Sequence, residues 1–141
     1  MENVKWGKYT YNKSKVGGGK MQYECIIRNI VDDEEVTVQI GDIQIIGFVN
    51  CGCNNKIGDV CSIDISLYDD LEIDVLANEE YSVIRKGNSY GYELKGILDV
   101  DNHRLKSVID FDIDEQILMD YGYLDGRFVS ISVLRVDLEF A

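Results

Sequence analysis

Four cysteines and a single histidine have the widest chemical reach in this chain: Cys25, Cys51, Cys53, Cys61 and His103. Cys51-x-Cys53, with Cys61 eight residues further on and His103, supplies the donor count of a Cys₃His zinc site. The spacing does not fit, because the usual zinc ribbons pair one C-x₂-C with a second. Cys25 and Cys61 also fall on the apolar side of alternating stretches, where a reduced cysteine packs as a small hydrophobe. Cys51 and Cys53 stand in the loop Cys51-Gly-Cys-Asn-Asn-Lys56, where an exposed redox pair is the alternative. The expectation is four reduced thiols, two in the core and two in a loop, with no cofactor. If a metal binds, its candidate ligands are Cys51, Cys53, Cys61 and His103. Disulfide staples are not expected in a cytosolic domain of this size.

Carboxylates come next. Asp110, Asp112 and Asp114, with Asp99 and Asp101 nearby in sequence, invite a calcium reading. The EF-hand pattern fails, since Glu115 stands where Gly is required and Tyr121 occupies the twelfth position. Alternating Asp on a strand is more simply a solvent face. Glu93 and Asp110 could face one another as a glycosidase pair. With 26 Asp and Glu in the chain, however, some acids will be neighbours by chance. Nucleophilic catalysis would have to run through His103, and no G-x-S-x-G or similar motif accompanies it. Gly19-Lys20 is not a phosphate loop: Ser14 stands where the first Gly is needed, and Met21 where Ser or Thr is needed. No set of catalytic roles is filled, so an enzyme is the less favoured class.

Net charge narrows the partners. The chain carries −12, unevenly distributed. Residues 1–20 hold five Lys against one Glu, a net of +4. Residues 21–141 hold nine Lys and Arg against 25 Asp and Glu, a net of −16. Such a body repels phosphate backbones and attracts cations or a basic partner. Tyr90 with Tyr92, and Tyr121 with Tyr123, could offer rings for base stacking, but that use needs a basic groove beside them. Nucleic acid is therefore disfavoured, and the rings are read as cover for the core edge.

The elements that would position these residues read as strands. In Gly58 to Asp70, Cys61, Ile63, Ile65 and Leu67 alternate with Ser62, Asp64 and Ser66. Tyr23, Cys25, Ile27 and Val31 share one face of Gln22 to Val31. Val36, Val38 and Ile40 share another, and Ile43 to Val49 continues beyond Gly41. Gly41 and Gly47 suggest bends or bulges. Leu71, Ile73 and Val75 alternate with Glu72 and Asp74. Tyr90, Tyr92, Leu94 and Leu98 line a strand running to Val100. Asp101-Asn102 marks a hairpin turn, and Leu105 to Ile113 returns. Asp114 to Tyr121 is the one helical stretch, with Asp114 as its cap. After Asp125-Gly126, Arg127 to Phe140 reads as a long closing strand with a bulge at Val133-Leu134.

Seven to nine such strands with no strand–helix–strand alternation predict an all-β, mainly antiparallel fold. The organisation is one domain, barrel-like or a sandwich, with one short helix. An OB-like barrel suits that order. Residues 1–20, with Gly17-Gly18-Gly19, read as a basic arm, mobile or forming an edge strand, and residues 21–141 as the acidic β domain. No apolar run approaches the roughly 20 residues of a membrane span, and the polar, basic start predicts a cytoplasmic protein.

The functional expectation is a small acidic, non-catalytic binding protein of inhibitor or immunity type, recognising a protein with a basic surface. Its contact residues would be the outward carboxylates Asp64, Asp69, Asp70, Glu72, Asp74, Asp110 and Asp112. The alternatives are a β-barrel ligand-binding protein or enzyme using the Cys51–Cys61 loop, with zinc as its metal, and a structural domain that pairs with itself.

Overall fold

A computed structural model describes residues 2–6, 9–16, 20–50, 53–68 and 71–140, with the backbone alone for 2–6, 9–16 and 20. Among these residues the strands, in chain order, are β1 Glu2–Trp6, β2 Tyr9–Val16, β3 Lys20–Val31, β4 Glu35–Ile40, β5 Ile43–Phe48, β6 Val60–Leu67 and β7 Glu72–Val75. They continue with β8 Ser82–Arg85, β9 Tyr92–Asp99, β10 Arg104–Lys106, β11 Asp110–Asp112, β12 Phe128–Val133 and β13 Val136–Phe140. The fold is all-β. It divides into two compact units: Met1–Ile65 with Asp137–Ala141, and Ser66–Val136.

The first unit is built around a closed ring of five strands. β3 pairs with β4 and β4 with β5, both antiparallel. β5 takes β13 alongside it in parallel, with Asp137 opposite Phe48. β13 neighbours β6, and β6 returns to β3 antiparallel. Counted in chain order, the ring runs 1-2-3-5-4-1, the circuit of an OB-type Greek-key barrel. The second unit is inserted between the fourth and fifth barrel strands. β1 and β2 pair antiparallel with each other, and β2 with β3.

The period-two alternation explains what fills the barrel. Tyr23, Cys25, Ile27, Val36, Val38, Ile40, Ile45, Ile63 and Ile65 are all buried. Removing each such aliphatic side chain from water contributes about 1.5–3 kcal/mol. Val31 departs from the expected face and is exposed, because the β3–β4 register shifts between Ile27 and Asn29 and resets the phase. Gly41 is a turn residue with φ of 58°, not a bulge. Gly47 marks a close approach: a Cβ there would lie 2.5 Å from Leu138 Cγ on the neighbouring strand.

The second unit is a sheet centred on β9. β12 covers one edge of β9 from Tyr92 to Ile97, and β7 lies beyond β12. The other edge is shared: β8 pairs with residues 92–95, then β10 with residues 97–99. β10 turns back into β11, which meets the end of β6 in parallel at Asp112 and Ser66. Leu94, Leu98, Leu105, Ile109, Phe111, Leu118, Val129 and Ile131 form the core. Two long strands of the sequence reading are each broken. Leu105 to Ile113 folds back on itself at Ser107–Ile109, so β10 and β11 pair with each other. Arg127 to Phe140 splits into β12 and β13, and Leu134, where a bulge was expected, is 68% exposed at the break.

The helix begins where its cap predicts. Asp114 Oδ1 accepts from Gln116 N at 2.8 Å, ahead of α1, Glu115–Leu118. The chain then tightens into a 3-10 segment, Met119–Leu124, whose Leu124 is buried. Asp114→Ala removes this acceptor. The expected loss is about 1 kcal/mol in a urea melt, and Asp114→Asn, which retains an oxygen, should recover most of it.

Candidate functional site

One face of the second unit's sheet gathers exposed and half-buried polar groups in cross-strand rows. Directly opposed residues point to the same side of a sheet, so register alone places them together. Ser132 of β12 is opposite Glu72 of β7 and Glu93 of β9, and Glu93 is opposite Ile84 of β8. One row along, Ser130 is opposite Asp74 and Lys95, and Lys95 is opposite Ser82. Two hydroxyls thus form the middle of a strip, with Glu72 and Asp74 on one flank and Glu93 and Lys95 on the other.

Lys95 Nζ lies 3.3 Å from Glu80 Oε2 and 3.5 Å from Glu93 Oε1. The Glu80 bond is the main reason its ammonium is held above the ordinary lysine range. Lys86 Nζ donates to Ser132 Oγ. Lys86 is exposed. One end of the strip is apolar: Phe128 packs edge-on against Tyr81 with ring centres 5.1 Å apart, and stands opposite Ile97. The face can accept hydrogen bonds and positive charge around a hydroxyl centre, with a ring at one end to cover an aliphatic stem.

The carboxylates expected to make contact are distributed unequally. Glu72 and Asp74 are exposed and lie on this face. Asp64 and Asp112 are half-buried. Asp110 is a correction: it is only 9% exposed, because β11 has β10 on one edge and β6 on the other. Asp69 and Asp70 lie outside the described residues. Glu93 and Asp110 do not form the acid pair considered for glycoside hydrolysis. Asp110 stands opposite Lys106, and Glu93 opposite Ile84 and Ser132. Tyr92 is buried but Tyr90 is not, so they share no ring face.

The sulfur chemistry sits in the barrel. Cys25 and Cys61 are directly opposed on β3 and β6, with their sulfurs 3.7 Å apart. Burial pushes the Cys25 thiol well above the ordinary thiol range, and Cys61 adds to the effect. Burial also raises Cys61; the contact from Cys25 opposes this, while Cys53 and Asp59 reinforce it. Cys53 is half-buried, and Cys51 lies outside the described residues. His103 belongs to the β9–β10 turn, with φ of 54° and its carbonyl accepting from Ile113 N at 2.8 Å. Among the described residues, no three His, Cys, Asp or Glu side chains come together to hold a metal.

Sequence reasoning missed Ser130 and Ser132. Their signal was present, since they alternate with the buried Val129, Ile131 and Val133. The Tyr81–Phe128 contact had no such signal, because it depends on which strands are neighbours. No helix among the described residues is long and apolar enough to cross a membrane. Neither the curated proteins nor the solved structures contain a match to this chain. Residues 21–141, which hold the five barrel strands and the whole of the second unit, match a conserved family, and the chain belongs to it: the family described as uncharacterised conserved protein UCP019853.

Proposed function

We propose that this is a small, non-catalytic, cytoplasmic binding protein whose second unit presents an electronegative face to a basic surface on a protein partner. The carrying observation is the strip in which exposed Glu72 and Asp74 flank Ser132 and Ser130, with Glu93 on the far side. The charge of the segment agrees with it: residues 66–136 hold seven Lys and Arg against 15 Asp and Glu, a net of −8. Complementary charge speeds encounter and rejects acidic competitors more than it adds affinity, so binding should be strongly salt-dependent.

The experiment is a pull-down with the full chain and with a Glu72→Lys, Asp74→Lys variant, at about 0.05 and 0.5 M salt. Retained proteins should be basic, should leave at high salt, and should bind the variant about tenfold or more weakly. Partners with no basic bias, retained equally at both salt concentrations and by the variant, would sink the proposal.

A further inference from the structure

We propose that Cys25 and Cys61 form a reversible disulfide across the β3–β6 junction that closes the barrel. The strands run antiparallel, and their register sets the two residues directly opposite. Ile27 N donates to Asp59 O at 3.0 Å, which makes that opposed pair a hydrogen-bonded position of the ladder. Such positions alternate along antiparallel strands, so Cys25 and Cys61, two steps on, occupy another, with Cα atoms about 5.5 Å apart. A disulfide spans Cα separations of roughly 4.4–6.8 Å, so the pair lies within reach, with a small approach of the two strands to bring the Cβ atoms together. The sulfurs already face each other at 3.7 Å, and side-chain rotation with that small approach brings them to bonding distance.

Exposure assigns each thiol its part. Cys61 is half-buried, and Cys25 is 1% exposed. The oxidant is a small disulfide, RSSR, of the glutathione class. The Cys61 thiolate attacks one of its sulfurs, the reagent's S–S bond breaks, and one RS⁻ leaves to take up the proton that Cys61 released. Cys25 then attacks the Cys61 sulfur of the mixed disulfide and expels the second RS⁻, which takes the Cys25 proton. Two protein thiols are oxidised and RSSR is reduced to two RSH; excess RSH drives the reverse. The burial of both thiols, with Glu24 and Asp59 adding negative charge around them, keeps the thiolates scarce at neutral pH, so the exchange is slow there and faster in mild alkali. The product ties the first barrel strand to the fourth.

The test uses the full chain, oxidised glutathione at about pH 8.5, alkylation of the remaining thiols after unfolding, and non-reducing peptide mass mapping. The expected result is one cross-link, Cys25 to Cys61, in the unmodified chain and in Cys53→Ser, reversed by reduced glutathione. The Cys25→Ser variant should stop at glutathione on Cys61. Closing this loop should raise the thermal midpoint of the oxidised chain by about 10 °C. Recovery of both Cys25 and Cys61 as alkylated thiols, under conditions that fully modify Cys53, would overturn the proposal. So would a cross-link that joins Cys53 to Cys51 or to Cys61 in place of the expected pair. If Cys25→Ser does not fold, the map of the unmodified chain decides alone.

Discussion

Gly96→Ala is expected to be the most damaging single-methyl change among the described residues, lowering stability by roughly 4 kcal/mol or preventing folding altogether. Gly96 sits in β9 where its edge partner changes from β8 to β10. An added Cβ would fall on the Lys106 carbonyl oxygen, with the carbonyl carbon at 2.9 Å and Ser107 Cα at 3.1 Å. These are backbone atoms, and they cannot swing aside as a side-chain tip can. The crossing is fixed further by Ser107, whose Oγ donates to the Lys95 carbonyl at 2.5 Å. Gly122→Ala is the matched control, since no atom lies within 4 Å of its added Cβ. Urea midpoints of the two variants should differ widely. Equal midpoints would mean that the Lys106–Ser107 backbone does not lie against Gly96.

The second large effect is expected at Phe111, which is fully buried on the three-residue strand β11. Truncating it to Ala loses the transfer free energy of the ring and leaves a cavity, about 3–5 kcal/mol together. Phe111→Leu should cost distinctly less, because it keeps much of the volume. Equilibrium unfolding in urea distinguishes these cases. A loss under about 1 kcal/mol for Phe111→Ala would show that the ring is not part of the core.

What could be read from the sequence depended on how local its cause was. The inward sides of β4 and β6 follow from alternation, and the Asp114 cap from a single residue, so all three were legible. The all-β class followed from summing many such strands. Asp110 was not legible. Alternation separates two faces of a strand but does not say which is wet, and on so short a strand the answer depends on β6, some 45 residues earlier in the chain. The break at Leu134 was visible only as a change of phase, which reads equally as a bulge in one strand or as the end of one strand and the start of another. The serine and carboxylate strip is a product of register. Each residue was legible as outward or not, but their assembly in rows needed the order β7-β12-β9-β8, which no local pattern encodes.

The barrel circuit also sets a timetable. Its first three strands are made together as a meander of hairpins, but the strand that fits between β5 and β6 comes only after the whole of the second unit. The contact joining Phe48 to Asp137 spans 89 positions in the chain. Closing so long a loop slows folding, because its entropy is lost before the contact is gained. On a ribosome adding about 5–20 residues per second, β5 waits several seconds with an unpaired edge rich in isoleucine. During that interval the nascent chain is open to pairing with other strands, and Asp42, the residue just before β5, is the nearest source of charge repulsion.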